Sequence, residues 1–175
     1  VNPESRAAFD ALVLVHLDAA WRFARWMVGD ESAAEDALQE ACTSAWRAFD
    51  SRSGDNARGW FMAIVRNACT DELRHRQRRS TDEAYDDEMH GGAAGPESVE
   101  SIVERASEAR WIRREIARLP DDFREVVVLR DLEGLSYREI GQIVGVPAGT
   151  VMSRLSRARD ALAVRARARL MKEQA

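Results

Sequence analysis

At 175 residues, 45% of them apolar and 32% charged, the chain can bury one core or two small ones, and its net charge of −4 sets it apart from uniformly basic nucleic-acid binders. Its most apolar stretch, Ala11 to Val28, is interrupted by His16, Asp18, Arg22 and Arg25, and no secretory signal pattern is present, so a cytoplasmic protein with no membrane insertion is expected. Cys42 and Cys69 lie outside any CxxC or His/Cys cluster, and His16, His75 and His90 are scattered without HExxH, a nucleophile motif or a Gly-rich phosphate loop, so no metal, cofactor or enzymatic activity is expected.

Apolar residues recur at spacings of three and four, which predicts an all-α chain. The first helices fall within "FDALVLVHLDAAWRFARWMVGD", Phe9 to Asp30. Ser32-Ala-Ala-Glu35 fits a capping box and predicts the next helix start. From Arg58 to Arg79 a single helix is expected, with Met62, Val65, Cys69 and Leu73 as its apolar stripe and Asn67, Asp71, Arg74 and Arg78 along another face. Cations at a helix C-terminus are favoured by its dipole, which accounts for one or two of Arg74, Arg76, Arg78 and Arg79. The whole cluster fits a phosphate backbone better, with Asn67 able to hydrogen-bond an exposed base.

Charge divides the chain. Residues 80–110 hold two basic residues against nine acidic ones, whereas residues 111–175 hold 13 against nine. "STDEAYDDEMHGGAAGPESVE", Ser80 to Glu100, has almost no large aliphatic side chains to offset its ordering entropy. It predicts a flexible acidic linker over 80–110, with a helix beginning near its end, between two small helical domains at 1–79 and 111–175.

In the second domain Gly134 ends one helix, and Ser136-Tyr-Arg-Glu139 fits a capping box for a short helix from about Tyr137 to Val144. Gly145-Val146-Pro147 breaks that helix, and another starts near Ala148. This is a helix-turn-helix arrangement. Val151, Leu155, Ala158 and Leu162 fall on one face, so Met152, Ser153, Ser156, Arg157 and Asp160 point outward. Arg157 has the donor fork that reads a guanine edge, the serines can meet base or phosphate, and Arg154 and Arg159 flank the groove where phosphates lie. A solvated amphipathic helix would share the arginines, but not the short first helix and the Gly-Val-Pro turn.

Three stretches carry a resemblance: "AEDALQEACTSAWRAFD" (34–50), "WFMAIVRNACTDELRHRQRR" (60–79) and "LPDDFREVVVLRDLEGLSYREIGQIVGVPAGTVMSRLSRARDAL" (119–162). Together, and in this order around an acidic segment, they resemble the extracytoplasmic-function (group IV) sigma factors of the sigma-70 family, which keep sigma regions two and four.

The resemblance implies an RNA polymerase sigma factor that directs bacterial core polymerase to specific promoters and nucleates strand opening. Asp36, Gln39 and Glu40, with Arg47 nearby, match positions that dock on core polymerase. The loop Asp50, Ser51, Arg52, Ser53 to Ala57 matches the one that captures a flipped base of the melted element. Asn67 matches an asparagine that helps hold that base, with Arg74 and Arg78 further along the same helix. Met152, Ser153, Ser156 and Arg157 match positions facing the bases of the double-stranded upstream element, and Thr150, Arg154 and Arg159 match positions near its backbone. An anti-sigma factor is the implied regulator.

Met152 stands where the family often has a cation, and "SRSGD" lacks the usual loop aromatic. Val13, Val15 and Leu17 stand where charge is common, which fits either a partner interface or a fuller core. A conventional helix-turn-helix regulator is the alternative function; it would explain 119–162 but not the first domain.

Overall fold

The computed structural model describes residues 3–52, 54–79 and 99–173, with the side chains of the helix that opens the last stretch described from Ser107. The expected linker residues 80–98 lie outside the described residues. Within them the chain forms eight α-helices: α1 (Pro3–Val13), α2 (Leu17–Val28), α3 (Glu31–Ala48), α4 (Ala57–Arg79), α5 (Val99–Ala117), α6 (Asp121–Val127), α7 (Tyr137–Val144) and α8 (Ala148–Glu173). A 3₁₀ turn, Leu14–His16, joins α1 to α2, and a π-helical turn, Val128–Leu132, extends α6. The expected all-α fold is present, with no strand among the described residues.

The first unit is built on an alanine ladder. Ala33, Ala37, Ala41 and Ala45, each four residues apart and all buried with Ala34, give α3 a nearly flat face. Small side chains allow close approach, so the bulk comes from the helices packed on it: Phe23 and Met27 of α2, and Phe61, Met62, Val65 and Cys69 of α4. Phe23 and Phe61 are fully buried, and burying such a side chain stabilises by roughly 1.5–3 kcal/mol. Burial also pushes the Cys69 thiol up to about 12, which leaves it protonated and inert. Phe9 of α1 meets Trp46 and Phe49 edge-on, with ring centroids 5.1 and 5.5 Å away, which fixes α1 to the end of α3.

The start of α3 differs from the sequence expectation. Gly29, at φ 86°, ends α2, and Asp30 then caps α3 by accepting from the Ala33 N–H at 2.8 Å. Ser32 therefore lies inside the helix and is no cap. Arg76 of α4 donates to the same Asp30 carboxylate at 2.8 Å. The Ala33 N–H, joined by Arg76, holds the Asp30 carboxyl below its ordinary range. A depressed carboxyl adds stability that is present above its unfolded value and is lost as pH falls through the folded one. Asp30→Ala should accordingly cost about 1 kcal/mol near neutral pH and progressively less below pH 4, measured by urea unfolding at both ends of that range.

The second unit buries Ile116 and Leu119 around α5, Val126 to Leu129 of α6 and its π turn, Leu135, Ile140, Ile143 and Val144 around α7, and Val151, Leu155 and Ala158 of α8. The π turn closes with Glu133 N–H donating to Val128 O at 3.0 Å, and Gly134 at φ 71° lets Leu135 N–H reach Leu129 O at 3.0 Å. That geometry turns Glu133 toward the first unit.

The two units are docked. Arg22 of α2 grips the Glu133 carboxylate with two hydrogen bonds, of 2.9 and 2.8 Å, and Arg58 donates to the Glu133 carbonyl at 3.0 Å. Arg66 of α4 donates to Glu125 of α6 at 2.8 Å, and Arg124 of α6 donates to the carbonyl of Met27 at 2.7 Å, at the C-terminal end of α2. Arg124 also donates to the carbonyls of Ala117 and Leu119, so one guanidinium serves two otherwise unsatisfied helix ends.

Candidate nucleic-acid interface

The helix-turn-helix forms as its sequence demands. Ser136 accepts from the Glu139 N–H while Glu139 accepts from the Ser136 N–H, completing the expected capping box. Those hydrogen bonds, first the Ser136 hydroxyl and then its N–H, hold the Glu139 carboxyl below its ordinary range. Gly145 takes the left-handed conformation at φ 73°, and the Gly145 and Val146 N–H groups both return to Gly141 O, at 2.9 and 3.0 Å. Gly141 is the tight point: a Cβ there would lie 2.6 Å from the Val146 carbonyl oxygen. Since backbone cannot yield as a side chain can, Gly141→Ala should destabilise the second unit by about 1–3 kcal/mol, read as a lowered urea midpoint.

On α8, Val151, Leu155 and Ala158 are buried and Leu162 half-buried, so the expected inner face is the observed one. Met152, Ser153, Ser156 and Arg157 are all exposed on the outer side, and Thr150 is half-buried beside them. Ser153 Oγ is occupied with the Thr150 carbonyl at 2.9 Å. Arg154 and Arg159, expected near the DNA backbone, are both ion-paired within the second unit. Arg154 is turned inward, donating to Asp122 at 2.6 Å and to Glu125 at 3.3 Å, with only 20% of its side chain exposed. Arg159 is paired with Asp131 of the π turn, which raises its pKa. Arg157 is exposed and has no ion-pair partner among the described residues.

In the first unit Asp36, Gln39, Glu40 and Arg47 are all exposed on α3, to one side of the alanine ladder. Their spacing of three and four residues puts them in one stripe. Among the described residues, the bonds that touch it are local: Ser44 Oγ donates to Glu40 at 3.2 Å, and Thr43 Oγ1 donates to the Gln39 carbonyl at 3.0 Å.

The loop before α4 brings together Asp50, Ser51 and Arg52; Ser53 lies outside the described residues. Arg52 donates to the Gly54 carbonyl at 2.7 Å and stands 5.9 Å over the Trp60 ring. Asn56 caps α4 through the Gly59 N–H at 2.8 Å and reaches Gln142 of α7 at 3.3 Å. Asn67 is exposed on α4, its Oδ1 accepting from Arg66 at 3.4 Å. Arg74 and Arg78 are exposed beyond it, Arg74 paired with Asp71 at 3.3 Å and Arg78 donating to the Arg74 carbonyl at 3.2 Å. Arg76, which looked like part of the same basic row, is committed to Asp30 and Glu72.

Sequence reasoning missed the ionic residues between the units: Arg22, Arg58, Arg66, Glu125 and Glu133. Glu125 is buried, and that burial outweighs its bonds to Arg66 and raises its carboxyl pKa. No local pattern marks these residues, because their partners are 59 to 111 positions away.

Known proteins share this arrangement. The Sigma-70 region 2 family matches residues 12–79, and the Sigma-70, region 4 family matches residues 109–162. The RNA polymerase sigma-H factor of Pseudomonas aeruginosa is 37% identical over 169 residues, covering 93% of this chain and 88% of the relative. The ECF RNA polymerase sigma factor SigE of Mycolicibacterium smegmatis is 34% identical over 155 residues, covering 89% of this chain and 60% of the relative, so the chain spans under two thirds of that protein. Among solved structures, the sigma factor RpoE of Bartonella quintana, in complex with the anti-sigma factor NepR, superposes with a TM-score of 0.71 at 28% identity, covering 89% of this chain and 94% of that one. CnrH, in complex with the cytosolic domain of CnrY, gives 0.69 at 26% identity, covering 93% and 90%. The chain belongs to the sigma-70 family, in its extracytoplasmic-function group. No helix among the described residues is long and apolar enough to cross a membrane.

Proposed function

We propose that the chain acts as a sigma factor, placing core RNA polymerase at particular promoters and starting strand separation. The single observation that carries this reading is the coexistence of an exposed polar stripe on α3 with an outward face on α8 in a chain that matches both sigma regions in order. Asp36, Gln39, Glu40 and Arg47 meet polymerase. Met152, Ser153, Ser156 and Arg157 read the upstream element, and Thr150 and Arg159 lie at its backbone. Asp50, Ser51, Arg52, Ser53, Asn67, Arg74 and Arg78 serve the melted strand. Arg154, buried against Asp122 and Glu125, braces α8 from behind and meets DNA only if that pairing is released.

Separating a duplex without ATP costs roughly 1.4 kcal/mol per base-pair step in lost stacking. Trapped bases and phosphates must return that energy. An anti-sigma factor is the proposed regulator, supported by the fold shared with RpoE, which was solved with the anti-sigma factor NepR.

Run-off transcription with core polymerase on promoter-bearing fragments tests the reading. Discrete transcripts that require the protein and fall severalfold with Asn67→Ala are expected. No transcripts, with duplex binding retained by the protein alone, would replace it with a conventional helix-turn-helix regulator.

A further inference from the structure

The inner face of α8 repeats at three and four residues through Val151, Leu155, Ala158 and Leu162. Arg165, Arg169 and Lys172 continue the same spacing, so the period holds while its chemistry turns from apolar to cationic. Charged heads do not fill a core, and beyond Leu162 the seam between α8 and α5 opens into a cleft of about 820 Å³. From α5 it receives Trp111, Arg114 and Arg118, again spaced three and four apart. Glu115, with 7% of its side chain exposed, accepts from Arg118 of its own helix at 2.8 Å and from Arg165 of α8 at 3.3 Å, which fixes a guanidinium on each wall. Arg169 lies over the Trp111 ring, 5.0 Å from its centroid. Arg114 and Lys172 are exposed, and neither has an ion-pair partner among the described residues.

We propose that this cleft binds single-stranded RNA, its phosphates on the cations and a base on the plane that Arg169 and Trp111 make together. Five cations face one carboxylate there, in a chain whose net charge is −4. Cations four residues apart stand roughly 6 Å apart along a helix, a step that an extended strand of phosphates can follow on both walls. Strand binding needs a cationic groove for the backbone and a flat surface for a base, and a guanidinium plane supplies the second. An acidic peptide would use the charges and leave that plane idle. A duplex is too wide to enter between two helices that remain in contact.

The inference rests on the sigma-factor reading above, which assigns promoter DNA to α4 and to the outer face of α8. The cleft lies on the opposite side of α8 from Met152, Ser153, Ser156 and Arg157, so a duplex on that face leaves it open. The nucleic acid of initiation still without a contact is the new transcript, and it is single-stranded RNA.

A labelled RNA of about 12 nucleotides, within the range that one cationic groove spans, tests the cleft by fluorescence anisotropy on the full chain. The variant replaces Arg114, Arg169 and Lys172 with alanine and keeps Arg118 and Arg165, which hold Glu115. It should bind RNA at least tenfold more weakly, with a salt slope lower by about two, since each lost phosphate contact on a single strand removes about 0.7. Its urea midpoint should be unchanged and its affinity for the upstream duplex within threefold of wild type. Photocrosslinks from 4-thiouridine in the RNA should fall on peptides of α5 and α8. Unchanged RNA affinity in the variant, or crosslinks confined to α4, which also carries arginines, would overturn the proposal. Displacement by polyglutamate as effective as displacement by unlabelled RNA of equal charge would overturn it too, and would mark the cleft as a seat for an acidic protein. A DNA strand of the same sequence that binds severalfold more tightly than the RNA would likewise exclude RNA as the ligand. Run-off transcription by the wild type is scored separately. Transcripts without RNA binding remove the cleft alone; RNA binding without transcripts removes the sigma-factor reading and leaves the RNA site standing, with the transcript no longer its ligand.

Discussion

Arg157→Ala should weaken binding to the upstream promoter element by about 1–3 kcal/mol, tenfold or more, while thermal unfolding stays where it was. Arg157 is exposed and makes no ion pair among the described residues, so the fold loses nothing when it goes. Arg154→Ala, three residues earlier, should do the reverse. It strips Asp122 and Glu125 of a partner, and Glu125 is buried with 2% of its side chain exposed. Removing one partner of a buried pair costs about 3–5 kcal/mol; here Arg66 remains to Glu125, so the lower end of that range is expected as a loss of unfolding free energy. Fluorescence anisotropy with duplex DNA and urea unfolding on the same two proteins separate a reading residue from a bracing one. Salt titration adds a further distinction for Arg157: contact with a base edge relaxes specificity at one position, whereas contact with a phosphate lowers the salt slope by about one.

That contrast also marks what the sequence could convey. The helix-turn-helix was legible because its signals are local: the capping box Ser136 to Glu139, a Gly-Val-Pro break, and an apolar repeat that the structure reproduces from Tyr137 to Val144 and along α8. The stripe of α4 was legible for the same reason. Arg154 was harder. It lies three residues after Val151 and four before Ala158, at the border of the buried face, and its direction is decided by Asp122 and Glu125, about thirty positions away. At the start of α3, Asp30 and Ser32 are both good caps by residue type, and the choice falls to Gly29, whose positive φ ends α2 one residue before Asp30. The apolar residues near the N-terminus divide: Val13 completes the core, whereas Val15 is 72% exposed beside Leu14. Docking between the units was not legible at all, since an arginine on an exposed helix face reads identically whether it meets water or a glutamate 111 residues away.

The same docking yields the second large effect. Replacing Arg22 and Arg58 together with alanine removes both cations from Glu133, whose carboxylate is otherwise shut away from water. An unpaired carboxylate kept in such a place costs about 3–5 kcal/mol, more than a polar contact between domains supplies. The chain can escape that cost without unfolding by letting the units part and hydrating Glu133. The expected signature is therefore a larger particle with its helices intact. A compact chain of this length has a radius of gyration of about 16 Å; the double variant should exceed the wild type clearly by small-angle scattering while its far-ultraviolet circular dichroism is unchanged. Glu133→Gln should expand the particle less, because it leaves no charge stranded in the interface and its arginines are already partly in water. Equal radii for all three proteins would mean that apolar contact alone holds the units together, and the ionic account of the docking would be wrong.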